Sequence, residues 1–337
     1  MRPIQSVVAG GRRRRSRDAT SLGDPLIHRG SLAWQDRLTP HRQRMEQALG
    51  ELVPEYRPRD VSFHLPDFIE IVANAGDDRD AFGATIGQSL PNWGPVSDEG
   101  RGRTVAMTNL YTDEDSRRIR REQAASLLSA ETMEVFTGDP EAGLVSTILH
   151  EATHNLGPSH DYRYEEQTDS EAFGGGLASM LEELKAQSGA LFYLDMLREA
   201  GVLTEAQVRE SYLDSVVWAF GHISSGMYTP TGQRKAYSQL AAVQIGFLMD
   251  RGVVRWDADA PAANGTDRGA FTVDFAAFPA AARELMQAVV RIKAINDRAA
   301  AEALAARYVD GDTVPQAVIA ERYQRFPRTS FVYSVVR

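Results

Sequence analysis

The chain has 337 residues, 43% hydrophobic and 25% charged, with a formal net charge of −9 and no cysteine. That balance is globular and excludes disulfides and thiolate metal sites, so any metal must be held by His, Asp and Glu. The negative charge argues against a nucleic-acid partner bound by phosphate neutralisation, and no apolar run of the ~18 residues needed to cross a membrane is present.

Residues 1–35 are expected to form a poorly ordered tail, with the basic run Arg12–Arg15 set among Gly, Ser and Asp. No apolar core follows that run, as a signal peptide would require, so a cytoplasmic location is expected. Residues 36–337 are expected to form one domain, with a small β portion at 60–110 and a helical part at 113–330. The fold class is therefore mostly α (α+β).

In chain order, Thr39 can cap a helix to Leu52, with Pro40 in its first turn and Met45, Leu49 and Leu52 on one face. Val61–Leu65, Phe68–Ala73 and Thr104–Thr108 read as short strands, the last two separated by a Gly-, Asp- and Pro-rich loop from Asn74 to Gly102. Helices are predicted over Asp115–Ser129, Glu131–Phe136, a stretch ending near Asn155, Thr168–Ala190, Phe192–Ala200, Thr204–Phe220, Lys235–Asp250, Phe278–Arg307 and Pro315–Phe326. Val254–Gly269 reads as a loop containing the turn signal Asn264-Gly265.

The helix ending near Asn155 carries His150-Glu151-Ala152-Thr153-His154, an H-E-x-x-H motif behind an apolar lead-in from Gly143 to Leu149. Residues four apart share one helix face, so two imidazoles can hold one zinc ion while Glu151 takes a proton from its water. Gly157 and Pro158 then stop the helix.

Two histidines and a water leave one zinc position open. Spacing puts His160 first, because His150 to His160 matches the metzincin pattern H-E-x-x-H-x-x-G-x-x-H. The carboxylate alternatives are Glu171, Glu182 and Glu183. Glu183 lies nearer the apolar stripe of Leu177, Met180, Leu181 and Leu184, beside the small residues Ala172, Gly176 and Ser179, which would let the metal helix approach. For an oxyanion donor or substrate contact the candidates are His222, Tyr228 and Tyr237, the first two in a Gly-bounded segment from Gly221 to Gly226 and just after it. Asp169 or Glu182 could orient a zinc-bound imidazole, and Asp161 and Tyr162 could line the rim. The expected activity is that of a zinc-dependent hydrolase acting on a peptide or small amide, with one zinc ion; the alternative is a zinc-binding module that has lost turnover.

Glu182-Glu183-Leu184-Lys185-Ala186 resembles the second signature of the dipeptidyl peptidase III zinc peptidases, Glu-Glu-x-Arg-Ala. Gly87-Gln88-Ser89-Leu90-Pro91-Asn92, with Gly102–Asn109 after it, is similar to that family's G-x-N-x-P-N segment and following strand. The resemblance spans about residues 66–252. It implies a zincin-like helical catalytic domain, Glu183 as third zinc ligand, Asn92 on the substrate backbone, and Tyr237 near the position of a catalytic histidine. The chain departs from the family in having H-E-x-x-H without an extra residue, Ser89 in place of an asparagine, and little room for a separate N-terminal domain. It thus looks like a compact relative built mainly from the catalytic half.

Overall fold

A computed structural model describes residues 29–63, 65, 67–69, 87–90, 103–159 and 162–327. Helix α1 (Arg29–Leu38), a 3-10 turn (Thr39–His41) and α2 (Arg42–Leu52) come first, then strands β1 (Asp67–Ile69), β2 (Gly87–Leu90) and β3 (Arg103–Met107). Helices α3 (Asn109–Thr112), α4 (Glu114–Leu127), α5 (Ala130–Met133), α6 (Pro140–His154), α7 (Asp169–Phe173), α8 (Gly175–Glu199), α9 (Glu205–Ile223) and α10 (Ala236–Asp250) follow. A hairpin of β4 (Val254–Pro261) and β5 (Arg268–Val273) precedes α11 (Phe278–Ala294), α12 (Arg298–Tyr308) and α13 (Gln316–Gln324). The fold is mostly α with a small β portion ahead of α6.

The chain forms two compact units: one from Met1–Ala33, Pro66–Arg118 and Arg328–Arg337, the other from Trp34–Leu65 and Ile119–Pro327. In the first, β3 is the central strand, parallel to β1 and antiparallel to β2, so Val105 faces both Asp67 and Gln88 in register.

The second unit is organised around α8. From Leu177 to Leu197 it buries residues on every side, the polar Lys185, Gln187 and Ser188 among them. Helices α6, α7, α9, α10 and α11 pack against it. On α6, Leu144, Ile148 and Leu149 are buried, each contributing about 1.5–3 kcal/mol of apolar burial. Where α6 meets α8, a Cβ on Gly189 would lie 2.3 Å from Thr153 Cγ2, so only glycine permits the approach. The small residues expected to serve this purpose do not: Gly176 and Ser179 are exposed, and Gly176 faces Arg234 instead.

Several other boundaries differ from expectation. Ordered helix begins at Arg29, inside the expected tail, because Trp34 and Leu38 are buried; Arg12–Arg15 lie outside the described residues. The expected Val61–Leu65 strand is not formed at 61–63 or 65, where Arg42 and Gln43 bond the carbonyls of Val61 and Arg59 and occupy the backbone. The long helix expected from Thr168 breaks at Gly174 (φ +75°), then runs through Leu191 without a second break. Phe278–Arg307 divides at Asn296, a left-handed residue (φ +51°), and Asp297, whose side chain caps α12 at Ala300 N. Val254–Gly269 holds strand β4, paired with β5 through Trp256 opposite Phe271. Its alternating Asp residues are the exposed face of that strand.

Candidate metal centre

Asp139 caps α6, accepting from Glu141 N at 2.9 Å, and Pro140 occupies the first turn. The far end carries His150, buried, and His154, half-buried, with rings edge-to-face at 4.9 Å. Helix α8 supplies Glu183, whose Oε2 lies 3.2 Å from His150 Nε2 and 3.7 Å from His154 Nε2. The three ligand atoms are all within 4.8 Å of one another, a group that could hold a metal ion. In a tetrahedral zinc site, bonds of ~2.0–2.2 Å put ligand atoms about 3.3–3.6 Å apart, which these separations approach.

The other ring nitrogens support the same reading. His150 Nδ1 lies 3.1 Å from Gln187 Oε1, and His154 Nδ1 lies 2.8 Å from Glu182 Oε1. Both acceptors draw the imidazole proton to Nδ1 and leave the Nε2 lone pair turned on the Glu183 carboxylate. Two lone-pair-bearing atoms at that distance repel unless a proton or a metal ion sits between them; the donor set fits a metal ion, and without one His150 holds a proton against Glu183.

Burial alone would lower the pKa of His150, but the hydrogen bond to Glu183 and the charges of Glu151 and Glu183 outweigh it and hold it above its ordinary value. Glu183 is raised by burial, yet His150 and His154 hold it below the usual carboxylate range. Glu182 is driven well below that range despite burial, chiefly by Lys185, His154 and Lys293. His222 is pushed down to about 4 by burial and then by the charge of His150. The Tyr237 phenol is pushed up by burial and by Glu183, although the residue as a whole is 41% exposed.

Tyr237 opens α10, stacked at 6.4 Å on His150 and at 5.3 Å on His222, and its hydroxyl bonds Glu183. Glu151 is half-buried on α6, and its charge acts on both His150 and Tyr237. His222 is not in a loop: it sits in the last turn of α9, one turn after Trp218, with their rings 4.3 Å apart.

Tyr228 is 39% exposed and its hydroxyl donates to Asp310 Oδ1 at 2.6 Å. Glu171 is committed to the capping box of α7 with Thr168. Asp169 pairs with Lys293, so among the expected orienting groups Glu182 alone reaches an imidazole. Tyr162 packs on Tyr56 and donates to Ala294 O at 3.0 Å. Asn92, His160 and Asp161 lie outside the described residues.

Gln187, Glu46, Lys185 and Lys293 were not expected at the site. Gln187 stands four residues after Glu183, on the same face of α8, and that spacing is a usable signal. Glu46 gives no such signal. Buried on α2, it accepts from Gly157 N at 2.9 Å and from Tyr56, while Lys185 donates to Leu156 O at 2.9 Å. Together they tie down the chain leaving α6.

No family model matches the sequence. No curated protein matches it either. Among solved structures, dipeptidyl peptidase III from Caldithrix abyssi superposes with a TM-score of 0.71 at 22% identity, over 89% of this chain and 54% of that one. The dipeptidyl peptidase III of Corallococcus sp. strain EGB does so with a TM-score of 0.68 at 23% identity, over 89% and 52%. This chain spans about half the length of those structures and shares their fold over nine-tenths of its own.

Proposed function

We propose that this chain is a zinc-dependent metallopeptidase, with His150, His154 and Glu183 as ligands and Glu151 as general base. One observation carries the proposal: two helices converge His150, His154 and Glu183, while Gln187 and Glu182 turn both imidazoles so that their Nε2 atoms serve as donors to a metal. A zinc ion held there supplies a Lewis acid that lowers the pKa of water and polarises a carbonyl.

The chain's own groups divide the remaining work. Glu151 accepts a proton from the attacking water on its carboxylate and returns it to the leaving amine. The Tyr237 phenol, pushed up by burial and the Glu183 charge, stays protonated; on leaving Glu183 its hydroxyl can donate to the developing oxyanion. His222, pushed down to about 4, is a neutral ring near physiological pH and contributes a hydrogen bond without a charge. By resemblance Asn92 holds the substrate backbone; Tyr228 would do so only on leaving Asp310.

A second reading, a zinc-binding module without turnover, is favoured by Ser89, which stands where the resembled family has one of its substrate-holding asparagines. Metal analysis of the purified protein, followed by digestion of a peptide mixture with and without chelator, separates the two. One equivalent of zinc with chelator-sensitive cleavage supports the peptidase; zinc without cleavage supports the module; no zinc rejects both.

A further inference from the structure

Behind His154 lie two lysines that are fully buried, at 0% exposure. A buried ammonium is costly unless paired and hydrogen-bonded, and each of these two meets a carboxylate. Lys185 meets Glu182 Oε1 at 3.1 Å and donates to Leu156 O. Lys293, from α11, pairs with Asp169 on α7 and with Glu182 Oε2 at 3.0 Å, the latter as an ion pair without aligned hydrogen-bond geometry. Two carboxylates balance two ammonium groups, and His154 Nδ1 completes the set at Glu182 Oε1.

The division of the Glu182 oxygens is the informative detail. Oε2 is engaged from α11, and Oε1 is shared between Lys185 and His154. Rotation of the carboxylate would break a contact on each side. Asp169 already gives Lys293 one anionic partner, so charge balance alone does not require Lys293 to reach Glu182. We propose that Lys293 is a positioning residue of the metal centre: by holding Glu182 Oε2 from α11, it aims Oε1 at His154 Nδ1 and so keeps His154 Nε2 turned toward the Glu183 oxygen. The inference rests on the zinc reading above and adds a residue far from both motifs in the sequence.

The test measures zinc affinity by competition with a chromophoric chelator, alongside thermal unfolding of the metal-free protein. Lys293→Met is expected to weaken zinc binding about 10–100-fold, as loss of a group behind a metal-bound histidine does. Glu182→Gln should cost a similar factor. If Lys293 acts through Glu182, adding Lys293→Met to Glu182→Gln costs no more than about twofold further. Ile319→Ala, a buried change on α13, should lower the unfolding temperature without changing zinc affinity. The visible spectrum of the cobalt(II)-loaded protein should change in Lys293→Met and not in Ile319→Ala.

Lys293→Met combined with Asp169→Leu leaves no unpaired carboxylate at 169, and the same loss of affinity is expected should the single variant not fold. Zinc affinity within about twofold of wild type in the Lys293 variants, or losses that multiply fully with Glu182→Gln, overturns the proposal. Wild-type protein that binds no zinc overturns the underlying metal reading instead.

Discussion

His154 Nδ1 and Glu182 Oε1 lie 2.8 Å apart, which assigns Glu182 to orienting an imidazole and leaves the adjacent Glu183 to face both Nε2 atoms. Neighbouring residues on a helix are about 100° apart, so the two carboxylates address opposite sides of the same ring. Predictions for the site follow from this division.

Glu151→Gln should retain one equivalent of zinc and lose peptide hydrolysis by about 10²–10⁴-fold, the usual contribution of a general base. Parallel metal analysis and single-turnover cleavage check this. Unchanged cleavage with zinc bound would reject the assigned role.

Glu183→Ala should weaken zinc binding far more than Glu171→Ala or His160→Ala, because Glu171 is spent on a capping box and Glu183 lies 3.2 Å from His150 Nε2. Chelator competition across the three variants decides it. Zinc lost from the His160 variant and kept in the Glu183 variant would reverse the ligand set.

Tyr237→Phe should keep zinc and lower kcat about 10²-fold or more with little change in KM, as removal of an oxyanion donor does. An equal loss in the metal-free fold's stability and no kinetic effect would make the tyrosine a packing residue only.

Gly189→Ala should destabilise the fold by about 1–3 kcal/mol, since its Cβ would meet Thr153 Cγ2 at 2.3 Å. Thr153→Ala in the same chain should recover part of that loss, because Cγ2 and Oγ1 are the two closest atoms. Chemical denaturation of the single and double variants measures the coupling, and additive losses would contradict it.

His222 supplies a pH dependence whose sign can be worked out. Its folded pKa of about 4 lies below its ordinary 6.5, so the unfolded chain binds the proton more readily. Stability of the metal-free protein should therefore fall as pH drops from 6.5 toward 4, in the window set by those two values. His222→Phe should flatten that limb in acid titrations followed by denaturant melts; an unchanged slope would place the ionisation elsewhere.

Helix phase and capping were legible without coordinates. Thr204, the expected start of a helix, forms a capping box with Gln207, and α6 ends beside the motif as Gly157 and Pro158 imply. The hairpin β4–β5 was not, because its exposed face alternates Asp and reads as a polar loop until Phe271 packs on Trp256 and Phe220. The break at Asn296-Asp297 was available from turn chemistry and was hidden by the apolar periodicity on either side.

What the sequence by itself determined is local: a four-residue spacing puts His150 and His154 on one helix face with Glu151 between them, because the α-helix repeats every 3.6 residues. Choosing Glu183 as their partner required a family likeness, since spacing alone favoured His160. Only the tertiary structure decided which groups stand behind the imidazoles, because Gln187 and Glu182 reach them across packed helices, with Lys293 behind Glu182, from positions with no fixed separation from the motif.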